Sequence, residues 1–297
     1  MLSHDKCPLC GSADTAEIYE CTDHLVSAEK FPVTGCNSCS FVYTDRYPEE
    51  KDSGRYYQSD EYISHSDTGK GLMNTIYHIA RRWMLSGKYK LLKEVSGTEQ
   101  SSVLDIGSGT GYFPAFMKRK GWVANGIEIN KEARAYALKY NKIALMPPED
   151  IKSLNTGSYN IITMWHSLEH FYRPGEYLDS SYRLLKKDGL LLIALPNHLS
   201  CDARKYGKDW AAWDVPRHLW HFSPGTIRDM AGRHKFRLLS VRRLTLDAFY
   251  VSALTEKYKG SSLPLVRGFI TGCISYLRSL KNINKTSSLV YVFKKEE

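Results

Sequence analysis

The 297-residue sequence predicts an α/β fold, a mostly parallel β-sheet with helices on both faces, preceded by a small cysteine-rich module. Short apolar runs alternate with helical patterns over the C-terminal two thirds, which is typical of strands joined by helices. A glycine-rich turn follows the first apolar run, and two C-x-x-C pairs lie near the N-terminus. A chain of this length can bury one full core and carry a small appendage.

The overall composition is typical of a globular protein, with 42% hydrophobic and 25% charged residues. No apolar run is long enough to span a bilayer, and the first residues lack the apolar segment of a signal peptide. We therefore expect a cytoplasmic protein with no transmembrane segment. The net charge of +9 indicates an anionic partner, such as nucleic acid, a phosphorylated substrate, an acidic carrier protein or a membrane surface, or it serves solubility alone.

Four cysteines, Cys7 and Cys10 followed by Cys36 and Cys39, form the two C-x-x-C pairs. Two such pairs supply the four thiolates of a tetrahedral zinc site, so residues 1–46 are predicted to be a zinc ribbon. Two disulfides are the alternative, which an intracellular chain disfavours. Four protein ligands would complete the coordination shell, so the zinc ion is expected to be structural.

Residues 47–95 are predicted to be a linker followed by lid helices. The linker is polar, and Tyr56, Tyr57 and Tyr62 then lie close to His65. Aromatic side chains with polar tips on such a segment fit either a lid over a ligand site or packing at a domain boundary. Apolar residues then recur at helical spacing and predict one or two helices before the first strand of the sheet.

The glycine-rich turn follows the apolar run Val103–Ile106. Glycines at 107, 109 and 111 remove the Cβ atoms that would keep a ligand away from the backbone, and the helix beginning near Tyr112 adds unpaired N–H groups. The dinucleotide fingerprint G-x-G-x-x-G requires a glycine where Tyr112 stands, so a pyrophosphate site is disfavoured. A glycine-rich turn without any ligand is the alternative.

Asp105 and the three glycines resemble motif I, D-x-G-x-G-x-G, of the class I S-adenosylmethionine-dependent methyltransferases. The resemblance implies a Rossmann-like sheet of seven strands over residues 96–297, with S-adenosylmethionine as the cofactor. In that family the acid and the loop hold the aminoacyl end of the cofactor. The residues implied here are Asp105, Gly107, Ser108, Gly109, Gly111 and Tyr112.

A second strand is predicted over Trp122–Asn130, with the acid Glu128 near its end. A carboxylate at this position can accept hydrogen bonds from both hydroxyls of a ribose, which is the role of the matching acid in the family. An ordinary acid at the end of a strand is the alternative. The resemblance further implies that Ile129, Asp150 and Trp165 contact the cofactor. The acid beside the adenine is Asp150 or its neighbour Glu149.

The segment Tyr159–Trp165 resembles the fourth strand of the ubiquinone-type, methyltransferase-23-like branch, and the signature W-H-x-L-E-H overlaps its end. This resemblance places His166 at the carboxyl end of a central strand, where an open parallel sheet binds its ligands. Glu169 and His170 are interpreted as a structural pair at the start of the next helix. The other strands are predicted at Lys142–Met146, Leu190–Asn197, Phe236–Leu244 and Ser288–Lys294, with a helix over Tyr177–Lys187.

Two further segments are assigned from their composition. Residues 198–222 are rich in tryptophan and histidine, including His218, and are predicted to form a cap over the substrate. Residues 247–283 are predicted to be an insertion before the last strand, with a basic amphipathic helix over Val266–Arg278. That helix can contact a membrane, a partner subunit or the sheet, and the sheet is the default.

The predicted reaction is methyl transfer from S-adenosylmethionine to oxygen or carbon of a small-molecule intermediate. An acceptor that must lose a proton needs a base, and His166 and His218 are the candidates. An RNA base methyltransferase is an alternative, although Trp165-His166-Ser167-Leu168 replaces the Asn/Asp-Pro-Pro-aromatic motif of many such enzymes. A non-catalytic, zinc-dependent interaction protein is a second alternative, against which the intact cofactor motif argues.

Overall fold

The computed structural model describes residues 1–58 and 72–296, so the predicted lid residues Tyr62 and His65 lie outside the described part. A four-stranded antiparallel sheet forms the N-terminal module, in the order β1-β2-β3-β8. Its last strand comes from far along the chain, because β3 pairs with residues 220–221 inside the predicted cap. The strands are β1 (Thr15–Thr22), β2 (Lys30–Cys36), β3 (Val42–Thr44) and β8 (Trp220–His221).

The second sheet has six strands in the order β5-β4-β6-β7-β10-β9. The first four strands in this order are parallel, and β10 runs antiparallel to both of its neighbours. These strands confirm the predicted α/β class with its antiparallel closing strand. They are β4 (Ser102–Ile106), β5 (Val123–Ile127), β6 (Tyr159–Trp165), β7 (Leu185–Pro196), β9 (Phe236–Leu244) and β10 (Ser288–Lys295).

The expectation of seven strands is not met within the described residues. The segment predicted as the third strand, Lys142–Met146, forms a single parallel bridge between Met146 and Ile127. Pro147 and Pro148 follow directly, and the chain turns into a short 3₁₀ helix at Pro148. Proline has no backbone N–H to donate to a neighbouring strand, so the extended segment ends after one bridge.

The helix predicted over Tyr177–Lys187 ends at Leu184, and β7 begins at the next residue. Asp188 has φ of +63°, and the pairing with β6 shifts register between Leu185 and Leu190. Asp188 and Gly189 therefore form an irregularity within the strand, and the helix ends three residues earlier than predicted. The helices are α1 (Leu72–Ser96), α2 (Tyr112–Arg119), α3 (Lys131–Asn141), α4 (Pro174–Leu184), α5 (Cys201–Tyr206), α6 (Pro224–Arg233), α7 (Asp247–Tyr258) and α8 (Pro264–Lys281).

The six-stranded sheet is covered on both faces. Neighbouring residues of β4 show this, because Leu104 belongs to one buried cluster and Val103 to the other. Successive side chains of a strand point to opposite faces, so an uninterrupted apolar run indicates a strand buried on both sides. Because the sheet is buried on both faces and these strands are parallel, the carboxyl ends of β4, β5 and β6 lie side by side at one edge of the sheet.

Helices α7 and α8 form a hairpin between β9 and β10. Gly268 and Gly272 bring the two helices together, and an alanine Cβ at Gly268 would lie 2.4 Å from Ala253 Cα. Arg243 of β9 donates to the carbonyl of Ser279, so α8 also contacts the sheet. The opposite face of α8 exposes large apolar side chains. Within the described residues, no helix is long and apolar enough to cross a membrane.

Candidate functional site

The glycine loop lies at the carboxyl ends of β4 and β5 and begins α2. Gly107 has φ of +81°, and an alanine Cβ there would lie 2.4 Å from Ser167 Cβ, so only glycine fits this approach to the end of β6. The amides of Gly107 and Ser108 both donate to the carbonyl of Ile127, at 2.9 Å. These contacts fix the loop against the two strands whose ends it covers.

Asp105 lies beneath this loop and is buried. Its Oδ1 accepts a 2.6 Å hydrogen bond from the hydroxyl of Thr163 on β6. Burial raises the pKa of Asp105 to about 6, although the hydrogen bond from Thr163 and the charge of Lys88 act in the opposite direction. The carboxyl group is therefore close to half-ionised in mildly acidic solution.

Lys88 of α1 reaches the same region, and sequence reasoning did not single it out. Its Nζ lies 4.4 Å from the centre of the Trp165 ring and 5.5 Å from that of Phe113. Burial lowers the pKa of Lys88 to about 8, while Asp105 and Asp247 raise it. A lysine within an amphipathic helix gives no sequence signal of such a position.

Glu128 follows β5 and faces the loop. Its Oε2 accepts from the amide of Gly109 at 2.7 Å, and its Oε1 accepts from the amide of Asn130 at 2.8 Å. Ile129 is 68% exposed beside it, and Asp150 lies on the 3₁₀ helix that follows Met146. Asp105, the glycine loop and Glu128 thus lie around the ends of the same two strands.

Tyr112 and Trp165 add aromatic groups to this region. Arg81 lies 4.0 Å above the centre of the Tyr112 ring, and Trp165 packs edge-on against Phe113. Trp165 is buried, and its Nε1 has no hydrogen-bond partner within the described residues. A buried N–H without a partner can donate to an acceptor on a bound molecule.

His166 lies at the carboxyl end of β6 with φ of +53°. Its Nε2 is 3.0 Å from Asp247 Oδ2, and its Nδ1 is 3.5 Å from Glu169 Oε1. Burial disfavours the charged ring, but these two carboxylates outweigh it and raise the pKa of His166 to about 10. Asp247 opens α7, a helix that the sequence assigned to an insertion, so its contact with His166 was missed.

Comparison of the amino-acid sequence with known protein families identifies the family of this chain. A sequence model of the methyltransferase domain family matches residues 77–241, more than half of the chain. The chain belongs to this methyltransferase family. The match agrees with the class I, S-adenosylmethionine-dependent family that the resemblance named.

Relatives of the methyltransferase are distant. The ubiquinone biosynthesis O-methyltransferase of Vibrio campbellii is 28% identical over 137 residues, which are 40% of this chain and 58% of the relative. The enzyme of the same name from Sodalis glossinidius is 26% identical over 137 residues, 40% of this chain and 55% of that enzyme. The chain therefore matches less than two thirds of the length of these relatives.

Among solved structures, a putative sarcosine dimethylglycine methyltransferase from Galdieria sulphuraria superposes with a TM-score of 0.51 at 16% identity. The superposition covers 75% of this chain and 88% of that one. At this identity the likeness concerns the fold alone.

Behind His166, the methyltransferase groups Glu169, His170 and His218, which we call the His–Glu cluster. Their potential ligand atoms all lie within 4.8 Å of one another. Burial lowers the pKa of His170 to about 4, and the neighbouring His218 acts in the same direction. The sequence interpretation paired Glu169 with His170 but did not connect them with His218, which arrives from the predicted cap.

The four N-terminal cysteines come together as the spacing predicted. Sγ of Cys7 lies 3.6 Å from that of Cys39, and Sγ of Cys10 lies 3.6 Å from that of Cys36. A disulfide would require about 2.05 Å, whereas ligands about 2.3 Å from a tetrahedral zinc ion are about 3.8 Å apart. The cluster therefore has the dimensions of a tetrahedral metal site and not of two disulfides.

The aromatic side chains of residues 198–222 are mainly buried. Trp210 and Trp213 pack with the N-terminal module, and Trp220 donates from Nε1 to the carbonyl of Phe171. This segment therefore joins the module to the catalytic sheet. Its role as a substrate cap stays a prediction.

Proposed function

We propose that this methyltransferase transfers a methyl group from S-adenosylmethionine to oxygen or carbon of a small molecule. The observation that supports this most directly is the position of Asp105, the bare glycine loop and Glu128 around two strand ends, next to the polar group at His166. The relatives named for ubiquinone biosynthesis act on a small molecule by their names, which favours the same class here. An anionic or carrier-bound acceptor suits the basic chain.

The residues at this edge of the sheet fit the cofactor. The negative charge of Asp105 suits the ammonium group at the aminoacyl end of the cofactor. The two carboxylate oxygens of Glu128 can accept hydrogen bonds from the two ribose hydroxyls. Trp165 Nε1 is a buried donor with no partner among the residues that the structure describes, and Tyr112, Ile129 and Asp150 complete the proposed contacts. When bound, the cofactor supplies a methyl group that is already activated as a sulfonium. The protein therefore contributes mainly placement and exclusion of water.

The two histidines proposed as bases differ in their surroundings. Both ring nitrogens of His166 face carboxylates, so the ring acts as a donor and holds its proton between Asp247 and Glu169. His218 donates from Nδ1 to the carbonyl of Ala212 at 2.9 Å, and its Nε2 lies 3.8 Å from Asp214 Oδ2 and 4.0 Å from Glu169 Oε1. In this arrangement His166 donates hydrogen bonds and orients the neighbouring groups. The His–Glu cluster is the part of the site that can donate an electron pair to an acceptor.

The test of the cofactor site is Glu128→Gln. Hydrogen bonds to a charged group are worth about 1.5–3 kcal/mol, so losing the charge should weaken S-adenosylmethionine binding by roughly ten- to a hundredfold in calorimetry. Methyl transfer from labelled cofactor to small-molecule extract fractions should fall in parallel. The matched control is Glu132→Gln on the exposed face of α3, which should bind normally. Equal affinities of the two variants would contradict the assignment.

Cofactor affinity should also depend on pH through Asp105. Below the raised pKa of about 6 the carboxyl group is protonated and no longer attracts the cofactor ammonium. We expect the affinity to fall about tenfold between pH 7 and pH 5, measured by calorimetry. Asp105→Asn should bind more weakly at pH 7 and lose this slope. A slope that persists in the variant would assign the pH effect to another group.

For the N-terminal module we propose a structural zinc ion held by Cys7, Cys10, Cys36 and Cys39. Cys10→Ser should lose one equivalent of bound zinc in metal analysis and lower the unfolding temperature of the module, because the metal supplies folding energy. Cys273→Ser, at a half-buried cysteine of α8, should retain the zinc. Unchanged zinc content in Cys10→Ser would disprove the site.

A further inference from the structure

We propose that the His–Glu cluster (Glu169, His170 and His218) binds a divalent transition-metal ion beside the cofactor site, separate from the four-cysteine site. The site stands on its own geometry. Its role in activating an acceptor rests on the proposed function.

The first support is the way both imidazole rings are held. His170 Nδ1 lies 3.0 Å from the carbonyl oxygen of Arg217, and His218 Nδ1 lies 2.9 Å from that of Ala212. A carbonyl oxygen can only accept, so each Nδ1 donates, and in the neutral ring Nε2 keeps the lone pair that a metal ion needs. Metal-binding histidines are typically fixed in this way by a second hydrogen bond that sets the tautomer and the ring orientation.

The second support is the state of Glu169. Its side chain is 1% exposed, and neither carboxylate oxygen has a hydrogen-bond partner within the described residues. The nearest ring nitrogens are His166 Nδ1 at 3.5 Å and His218 Nε2 at 4.0 Å from Oε1. Oε1 therefore has only the long ion pair with His166, and Oε2 has no partner within the described residues, so a cation bound to the carboxylate would lower the cost of its burial.

Distances and charge also fit a cation. Ligands at about 2.0–2.2 Å from one ion lie roughly 3–4 Å apart, and the three ligand atoms here are within 4.8 Å of one another. The surrounding charges are the carboxylates of Asp214 and Asp247, the protonated ring of His166 between Asp247 and Glu169, and the guanidinium of Arg217, which is paired with Asp214 and Asp23.

The donor set indicates the class of metal. Two imidazoles and one carboxylate favour zinc, iron, manganese or cobalt over magnesium or calcium, which prefer oxygen ligands. Three protein ligands leave at least one position open for water or an acceptor oxygen, unlike the closed four-cysteine site. A hydroxyl bound there would lose its proton more readily, which is the activation that an oxygen acceptor needs.

The experiment is a Co²⁺ titration of the full-length protein after removal of metals with a chelator. We expect two equivalents to bind with submicromolar affinity. One should show strong sulfur-to-cobalt charge-transfer absorption, and the other only weak bands typical of nitrogen and oxygen ligands. A single equivalent with the sulfur spectrum would overturn the proposal, and this result needs no variant.

Variants then locate the second equivalent. Glu169→Gln and His218→Gln should each lose the nitrogen–oxygen spectrum and keep the sulfur spectrum, which also reports that the N-terminal module is folded. His234→Gln, at a histidine paired with Asp179 on the surface, should keep both. A second equivalent that survives both cluster variants would place the metal elsewhere and disprove the site. Calorimetry with S-adenosylmethionine tests the proposed function separately, because the cofactor residues are not ligands of this metal.

Discussion

Gly107→Ala should destabilise the catalytic domain by roughly 2–5 kcal/mol in urea denaturation. The backbone at φ of +81° costs a residue with a Cβ about 1–2 kcal/mol, and the new methyl group would lie 2.4 Å from Ser167 Cβ. Ser167 cannot easily move away, because its hydroxyl donates to the carbonyl of Ile106 at 2.8 Å. The strain is therefore expected at the junction of β4 and β6.

The matched variant is Gly109→Ala in the same loop. Its φ is +52°, but a Cβ at this position meets no protein atom within 4 Å. We expect a loss of only about 1–2 kcal/mol from the backbone conformation, together with a large loss of S-adenosylmethionine affinity in calorimetry. A normal affinity in Gly109→Ala would move the proposed cofactor site away from the loop. Equal stability of Gly107→Ala and wild type would show that the contact with Ser167 is relaxed in solution.

The contrast between these two glycines shows what local sequence determines. A buried strand, a glycine turn and a following helix are encoded within about ten consecutive residues, so the loop and Asp105 were predicted at the right place. The predicted strand at Lys142–Met146 was local as well. It failed because Lys142 and Ile143 still belong to the end of α3 and two prolines follow Met146, so the segment between them pairs with β5 only at Met146.

The polar part of the site was only partly predictable, since its members meet through tertiary packing. Asp247 begins a helix in what the sequence indicates as an insertion, yet its carboxylate is 3.0 Å from His166 Nε2. Lys88 comes from the helix before the first strand of the catalytic sheet. Nothing in the spacing of either residue relates it to the W-H-x-L-E-H signature. Such contacts depend on how the helices and strands pack against one another. A single sequence does not show which distant residues will be in contact.

The same holds for the boundary between the module and the catalytic domain, where Arg217 is buried. Its guanidinium donates to Asp23 at 3.0 Å, to Asp214 at 2.6 Å and to the carbonyl of Tyr56 at 2.9 Å. One arginine of the predicted cap thus connects three separate segments. Its partners come from the N-terminal module, the linker and its own turn, so the domains predicted from composition share a polar core.

Arg217→Met should therefore destabilise the protein by about 3–5 kcal/mol in urea denaturation, because it leaves a buried carboxylate without its counter-charge. Asp23 retains hydrogen bonds from the amides of Leu25 and Ser27, so the double variant Asp23→Asn/Arg217→Met should recover part of the loss. The control is Arg228→Met, whose ion pair with Asp229 is exposed and should contribute less than about 1 kcal/mol. If Arg217→Met and Arg228→Met had equal effects, the buried pair would contribute no more than a surface one. The N-terminal module would then be held to the sheet by β3–β8 pairing, aromatic packing and polar contacts such as that from the Thr44 hydroxyl to the carbonyl of His218.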